Sequence, residues 1–176
     1  KFKEAYTDQP KNDFVVAFVI ADYLRFGRIA REVYMDDYRY QALRTLTRAR
    51  FDVIQNLSRE KQRFANYLFL KCSGIAQDKD IQNTSATTIA LMERFETVDD
   101  LANADLEELT AFIDEKGRNF ADPAAKANTI RSAARDSYRL PVTVNNSVNQ
   151  AMAVSIASMR ALEKQVKVLD KAIEQQ

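Results

Sequence analysis

The sequence predicts an all-α protein: a long antiparallel coiled-coil hairpin with a small helical subdomain inserted at its tip. Three observations carry this. Gly and Pro occur only three times each in 176 residues, roughly a quarter to a third of average usage, and sandwiches and barrels need such residues at their many turns. The stretch from Asp36 to Cys72 contains neither. The last thirty-odd residues carry apolar side chains at alternating three- and four-residue steps, the repeat of a coiled-coil seam.

The elements follow in order. A first helix is expected from Asp13 to Phe26, with Asp13 at the N-cap and Gly27 just past the end. Its apolar run from Phe14 to Ala21 suits a helix packed into something larger, and a buried β-strand is the competing reading. A second helix should span Asp36 to Cys72, with Leu43, Leu46, Ile54, Leu57, Phe64 and Leu68 as its apolar stripe and Ser73-Gly74 as its end. Short helices then follow capping signals: Ala86 to Phe95 after Thr84 and Ser85, Leu106 to Glu115 after Asp105, and Ala124 to Tyr138 after Asp122-Pro123. The last helix, from Val144 onward, places Val148, Met152, Ser155, Met159, Leu162, Val166, Leu169 and Ile173 on one seam. The corresponding domain limits are 1–30, 31–75, 76–142 and 143–176.

Composition excludes several chemistries. The chain has no histidine and one cysteine, Cys72, which removes Ser-His and Cys-His mechanisms, disulfides and polythiolate zinc sites. The longest apolar run is eight residues, Phe14 to Ala21, far short of the roughly 20 needed to cross a bilayer. No signal peptide opens the chain, so a reducing, membrane-free location is expected.

The net charge of +1 hides three blocks. Residues 25–71 hold eleven Lys and Arg against five acids, 78–115 hold eleven acids against Lys79 and Arg94, and 116–139 are basic again, six against two. The basic face of the second helix is the stronger functional signal, because arginines along a helix can follow a phosphate backbone. Tyr34, Tyr38 and Tyr40 stand close enough in sequence to stack on bases. The bland reading, a solvated face paired with the acidic centre of the same chain, has equal weight. Lys126, Arg131, Arg135 and Arg139 form a second, shorter basic stripe. Asp13 is either a helix cap or a ligand for a hard divalent cation, the pairs Asp99-Asp100 and Glu107-Glu108 suit a solvated face, and Cys72 reads as a small buried apolar residue.

Four strings then resemble one family. These are PKNDFVVAFVIADYLRFGR (residues 10–28), LTRAR (46–50), AARDSYRL (133–140) and MRALEKQVKVLDKAI (159–173). Together and in this order they resemble the DEDD-type bacterial insertion-sequence transposases of the IS110 family, the bridge-RNA-guided recombinases. The resemblance implies that residues 1–30 are the end of a RuvC-like domain and that the remainder is a connector that binds guide RNA or DNA and assembles protomers. In that family four acids hold Mg²⁺, the last two as Asp-x-x-Asp-Ala. Asp13 matches the first of that pair, and Val16 stands where the second would be, just before Ala17. The other two acids would lie before Lys1, and a catalytic-serine domain beyond Gln176, so no Mg²⁺ is expected on this chain alone and its status as an enzyme stays open.

The expected function is therefore nucleic-acid binding and assembly within a transposase acting in DNA transposition. Arg25, Arg28, Arg39, Arg44, Arg48, Arg50, Arg59, Lys61, Arg63, Arg131, Arg135 and Arg139 are the expected contacts. Expected partners are DNA, structured RNA and further copies of the chain, in a bacterial cytoplasm and without a membrane. The alternative is a coiled-coil oligomerisation module with no nucleic-acid contact.

Overall fold

The structure, a computed structural model, describes residues 13–25, 38–117 and 121–176. Every regular element among them is a helix: α1 (Asp13–Arg25), α2 (Tyr38–Lys71), α3 (Ser73–Gln77), α4 (Ala86–Arg94), α5 (Val98–Ala102), α6 (Leu106–Lys116), α7 (Pro123–Arg135) and α8 (Val142–Glu174). The chain divides into two units, Lys1–Gln41 and Ala42–Gln176.

In the first unit, α1 takes up the apolar run, so the helical reading prevails over the strand. Phe14, Phe18 and Ile20 are exposed on it, Phe14 by 85%.

The second unit is built on the two long helices. Along α2, Leu43, Leu46, Arg50, Val53, Leu57, Glu60, Phe64, Tyr67 and Lys71 step by three and four, and each is buried or half-buried. This is the heptad rhythm that keeps one stripe of a helix against a partner. Along α8, Val148, Met152, Ser155 and Met159 are buried, and Leu162, Val166, Leu169 and Ile173 half-buried. Polar contacts join these helices. The Ser155 hydroxyl donates to Glu60 Oε2 at 3.0 Å, and Arg50 forms an ion pair with Asp170. The higher number on one helix meets the lower on the other, so α2 and α8 run in opposite directions.

Between them, α3 to α7 close over the inner ends of the two helices. Phe64 and Leu68 of α2 and Met152, Ile156 and Met159 of α8 share one apolar core with Ile75, Leu91, Leu101, Leu109, Ile113 and Ile130. Local signals start the short helices. Ser85 accepts from the Thr88 amide at 3.1 Å, Asp105 from the amides of Glu107 and Glu108 at 2.9 and 3.0 Å, and Asp122 from that of Ala125 at 2.9 Å. Each satisfies an amide that a helix start leaves unpaired.

The structure corrects the expected layout in three places. The long helix breaks at Cys72, which leaves helical geometry (φ −144°, ψ 76°), and Gly74 sits inside α3 instead of ending α2. A Cβ at Gly74 would lie 1.9 Å from the Ala133 carbonyl oxygen, so only glycine lets α3 approach α7 this closely. A further helix, α5, opens on a reciprocal cap: the Thr97 hydroxyl accepts from the Asp100 amide at 3.1 Å, and Asp100 accepts from the Thr97 amide at 2.9 Å. Finally α7 ends at Arg135, before Tyr138, and α8 begins at Val142, directly after Pro141.

Candidate nucleic-acid interface

With the seam of α2 turned toward α8, its opposite side carries Arg44, Arg48, Phe51, Gln55 and Arg59, all exposed and spaced by three or four residues. That spacing holds them on one face of a helix. Phe51 is 60% exposed, an unusual position for a large ring, with Arg48 three residues before it. Guanidinium groups beside an open aromatic face can neutralise phosphates and stack on bases. Nearer the start of α2, Tyr38 and Tyr40 are exposed as well, and the Arg39 guanidinium lies 5.7 Å from the Tyr38 ring centre. Tyr34 and Arg28 fall outside the described residues.

Several expected contacts, Arg59 of this face among them, already have partners or are half-buried. Arg25 lies in α1 with Asp22 at 3.9 Å. Arg59 donates to Asn56 Oδ1 at 3.2 Å, Arg63 pairs with Glu60 at 2.5 Å, and Lys61 is half-buried. Arg50 is on the seam and engaged with Asp170. In the second basic stripe, Arg131 reaches Asn128 at 3.3 Å, while Lys126 donates to the Asp80 carbonyl. Arg135 donates to the Ala102 carbonyl at the end of α5, at 3.3 Å. Arg139 bonds Asp99 at 2.9 Å and the Arg135 carbonyl at 2.9 Å. These last two act as positively charged caps on helix C-termini, where unpaired carbonyls concentrate negative charge. The acidic centre likewise finds partners outside α2: Glu93 takes both terminal nitrogens of Arg160 at 2.8 Å, and Glu108 pairs with Arg94 at 3.6 Å.

Sequence reasoning counted Lys71 only as part of a basic block. It is 3% exposed, and its ammonium donates to the carbonyls of Met92 at 3.1 Å and Phe95 at 2.6 Å, closing the end of α4. Burial pulls it down to about 8, although the neighbouring Cys72, Glu96 and Asp100 favour the charged form. Asn145 and Asn149 of α8 donate to the Glu96 carbonyl at 3.1 and 2.8 Å. The α4–α5 connection is thus held from both long helices, beside a cavity of about 360 Å³. The signal in the sequence was position: Lys71 is one heptad after Phe64 on the seam.

Two further candidates are Cys72 and Asp13. Cys72 is 1% exposed, burial raises its thiol above the ordinary value, and Ser137 is 3.3 Å from its sulfur. Asp13 is exposed at the start of α1, and Val16, one turn on, has no ligating atom. Among the described residues no group of three or more Asp, Glu, Cys or His side chains could hold a metal ion. The DEDD name implies a divalent metal, and these residues do not fit one. No helix among them is long and apolar enough to cross a membrane.

No curated protein and no solved structure matches the chain. Residues 1–71, which contain α1 and α2, match the DEDD family of IS110 type, described as Transposase. Over that span the chain is similar to IS110-type transposases.

Proposed function

We propose that this chain is the nucleic-acid-binding and assembly segment of an IS110-type transposase. The observation that carries the reading is the outer face of α2, where Arg44, Arg48, Phe51 and Arg59 stand exposed on an element inside the family match. In this reading residues 1–30 end a RuvC-like domain, and α2 and α8 form a coiled-coil hairpin that carries α3 to α7 at its tip. The face then binds structured guide RNA and DNA, and the hairpin brings protomers together in the bacterial cytoplasm. Mg²⁺ belongs to the DEDD chemistry of the family, and Asp13 is the one residue here that matches its acids. Arg44, Arg48 and Arg59 are the primary contacts. Arg25, Arg28, Arg39, Lys61, Arg63 and Arg131 are further proposed contacts, while Arg50, Arg135 and Arg139 take part only by releasing the carbonyls or carboxylates they hold.

Filter binding of a structured RNA and of duplex DNA tests this reading. Affinity should fall by orders of magnitude between about 50 and about 200 mM salt for six or more phosphate contacts. Absence of binding at low salt would refute it. One observation favours the second reading, a pure oligomerisation module: Val154 and Val168, off the seam of α8, are 68% and 60% exposed, as an unshared helix face would be.

A further inference from the structure

Between α6 and the first turn of α7 lies a groove of about 480 Å³. Its floor takes apolar carbon from Leu106, Ala111 and Pro123, and Glu107, Asp114 and Asp122 also line it. All three carboxylates are exposed. Neither Glu107 nor Asp114 has an ion-pair partner among the described residues, in contrast to Glu108 beside them, which holds Arg94. An apolar floor lined by carboxylates suits a surface that presents a large apolar group flanked by cations. The chain carries such a surface: Phe51 on the outer face of α2, with Arg48 one turn before it and Arg44 one turn earlier still.

We propose that this groove receives the outer face of α2 from a second copy of the chain, Phe51 on the apolar floor and Arg48 against Asp114 and Glu107. Charge complementarity selects this occupant. A net charge of only +1 gives two copies almost no long-range repulsion, while opposite charge sits on separate surfaces of each. If each copy offers both its groove and its face, the two contacts close a symmetric dimer and leave no open end. The carboxylates then occupy the positions of phosphates on α2, so that nucleic acid and the second copy compete for one face. That competition rests on the reading of α2 as the nucleic-acid surface, whereas the docking does not.

Sedimentation velocity of the whole chain, without nucleic acid, tests the docking by charge exchange. Wild type should self-associate at low salt and dissociate as salt rises. D114R alone and R48D alone should each weaken self-association by about ten-fold or more, because like charges then face each other. An equimolar mixture of the two variants should recover the dimer, since every introduced charge meets its opposite. A chain that stays monomeric at low salt, or one whose association ignores both substitutions, overturns the proposal, as does a mixture that stays apart. Filter binding of RNA to R48D reads the other claim separately: unchanged RNA affinity sinks the nucleic-acid reading and leaves the docking standing.

Discussion

Lys71 carries its ammonium into the protein interior. Its folded value near 8 lies below the ordinary 10.5, so between those two values the unfolded chain binds a proton that the folded chain does not. Stability should therefore rise as pH goes from about 8 to 10.5, with the full penalty of a buried ammonium present below that window and none above it. Urea titrations across the window should show this rise in wild type and not in K71M. That variant should be weaker than wild type above the window, where the neutral Lys71 amine still donates to the Met92 and Phe95 carbonyls and K71M leaves them unpaired, at a cost of about 1–3 kcal/mol per buried group. Cys72 offers a second check at this scale. Buried beside Ser137, with its thiol pushed up, it should resist alkylation in native protein and react on unfolding. Gly74→Ala should destabilise by roughly 1–3 kcal/mol as overpacking does, since the added carbon would meet backbone of Ala133 and not a movable side chain.

At the scale of elements, the two ends of α8 should differ in how much they hold. Met152 is 2% exposed within the core, and Leu169 is half-buried further along the same seam. Met152→Ala should cost about 2–5 kcal/mol, and Leu169→Ala clearly less; thermal melts that reverse this order would mean that the outer part of the helix pair carries the stability. Thr97→Ala should cost about 1 kcal/mol through loss of the α5 cap. These elements also mark what a sequence can reveal. Ser85, Asp105 and Asp122 were legible because a cap and its amide lie two or three residues apart. The seam of α8 was legible because seven of its eight positions are apolar. Helix α5 escaped because Asp100, half of its cap, looked like one of two solvated acids. Arg50, Glu60 and Lys71 escaped because a search for apolar periodicity passes over charged seam residues. Arg135 depends on the Ala102 carbonyl and Arg139 on the Asp99 carboxylate, both brought close by the packing of α5 against α7, which no spacing encodes.

For the whole molecule, segregation of charge is the organising feature. The acids of the central helices pair with Arg94, Arg139 and Arg160, and the outer face of α2 keeps Arg48 and Phe51 exposed. Those ion pairs are exposed at 40% or more of each side chain, and each contributes at most about 1 kcal/mol. A candidate site was visible in the sequence as a density of arginine, and the structure sorts it into residues that cap carbonyls and residues that face outward. The measurement that bears most directly on this is the salt dependence of RNA and DNA affinity for wild type, for the pair R48A/R59A and for R139A. The pair should lower the slope of log affinity against log salt by roughly one per arginine removed while leaving the melting temperature nearly unchanged, and R139A should lower the melting temperature and leave the slope alone. A slope insensitive to R48A/R59A, or an affinity lost only through R139A, would contradict the assignment of the α2 face.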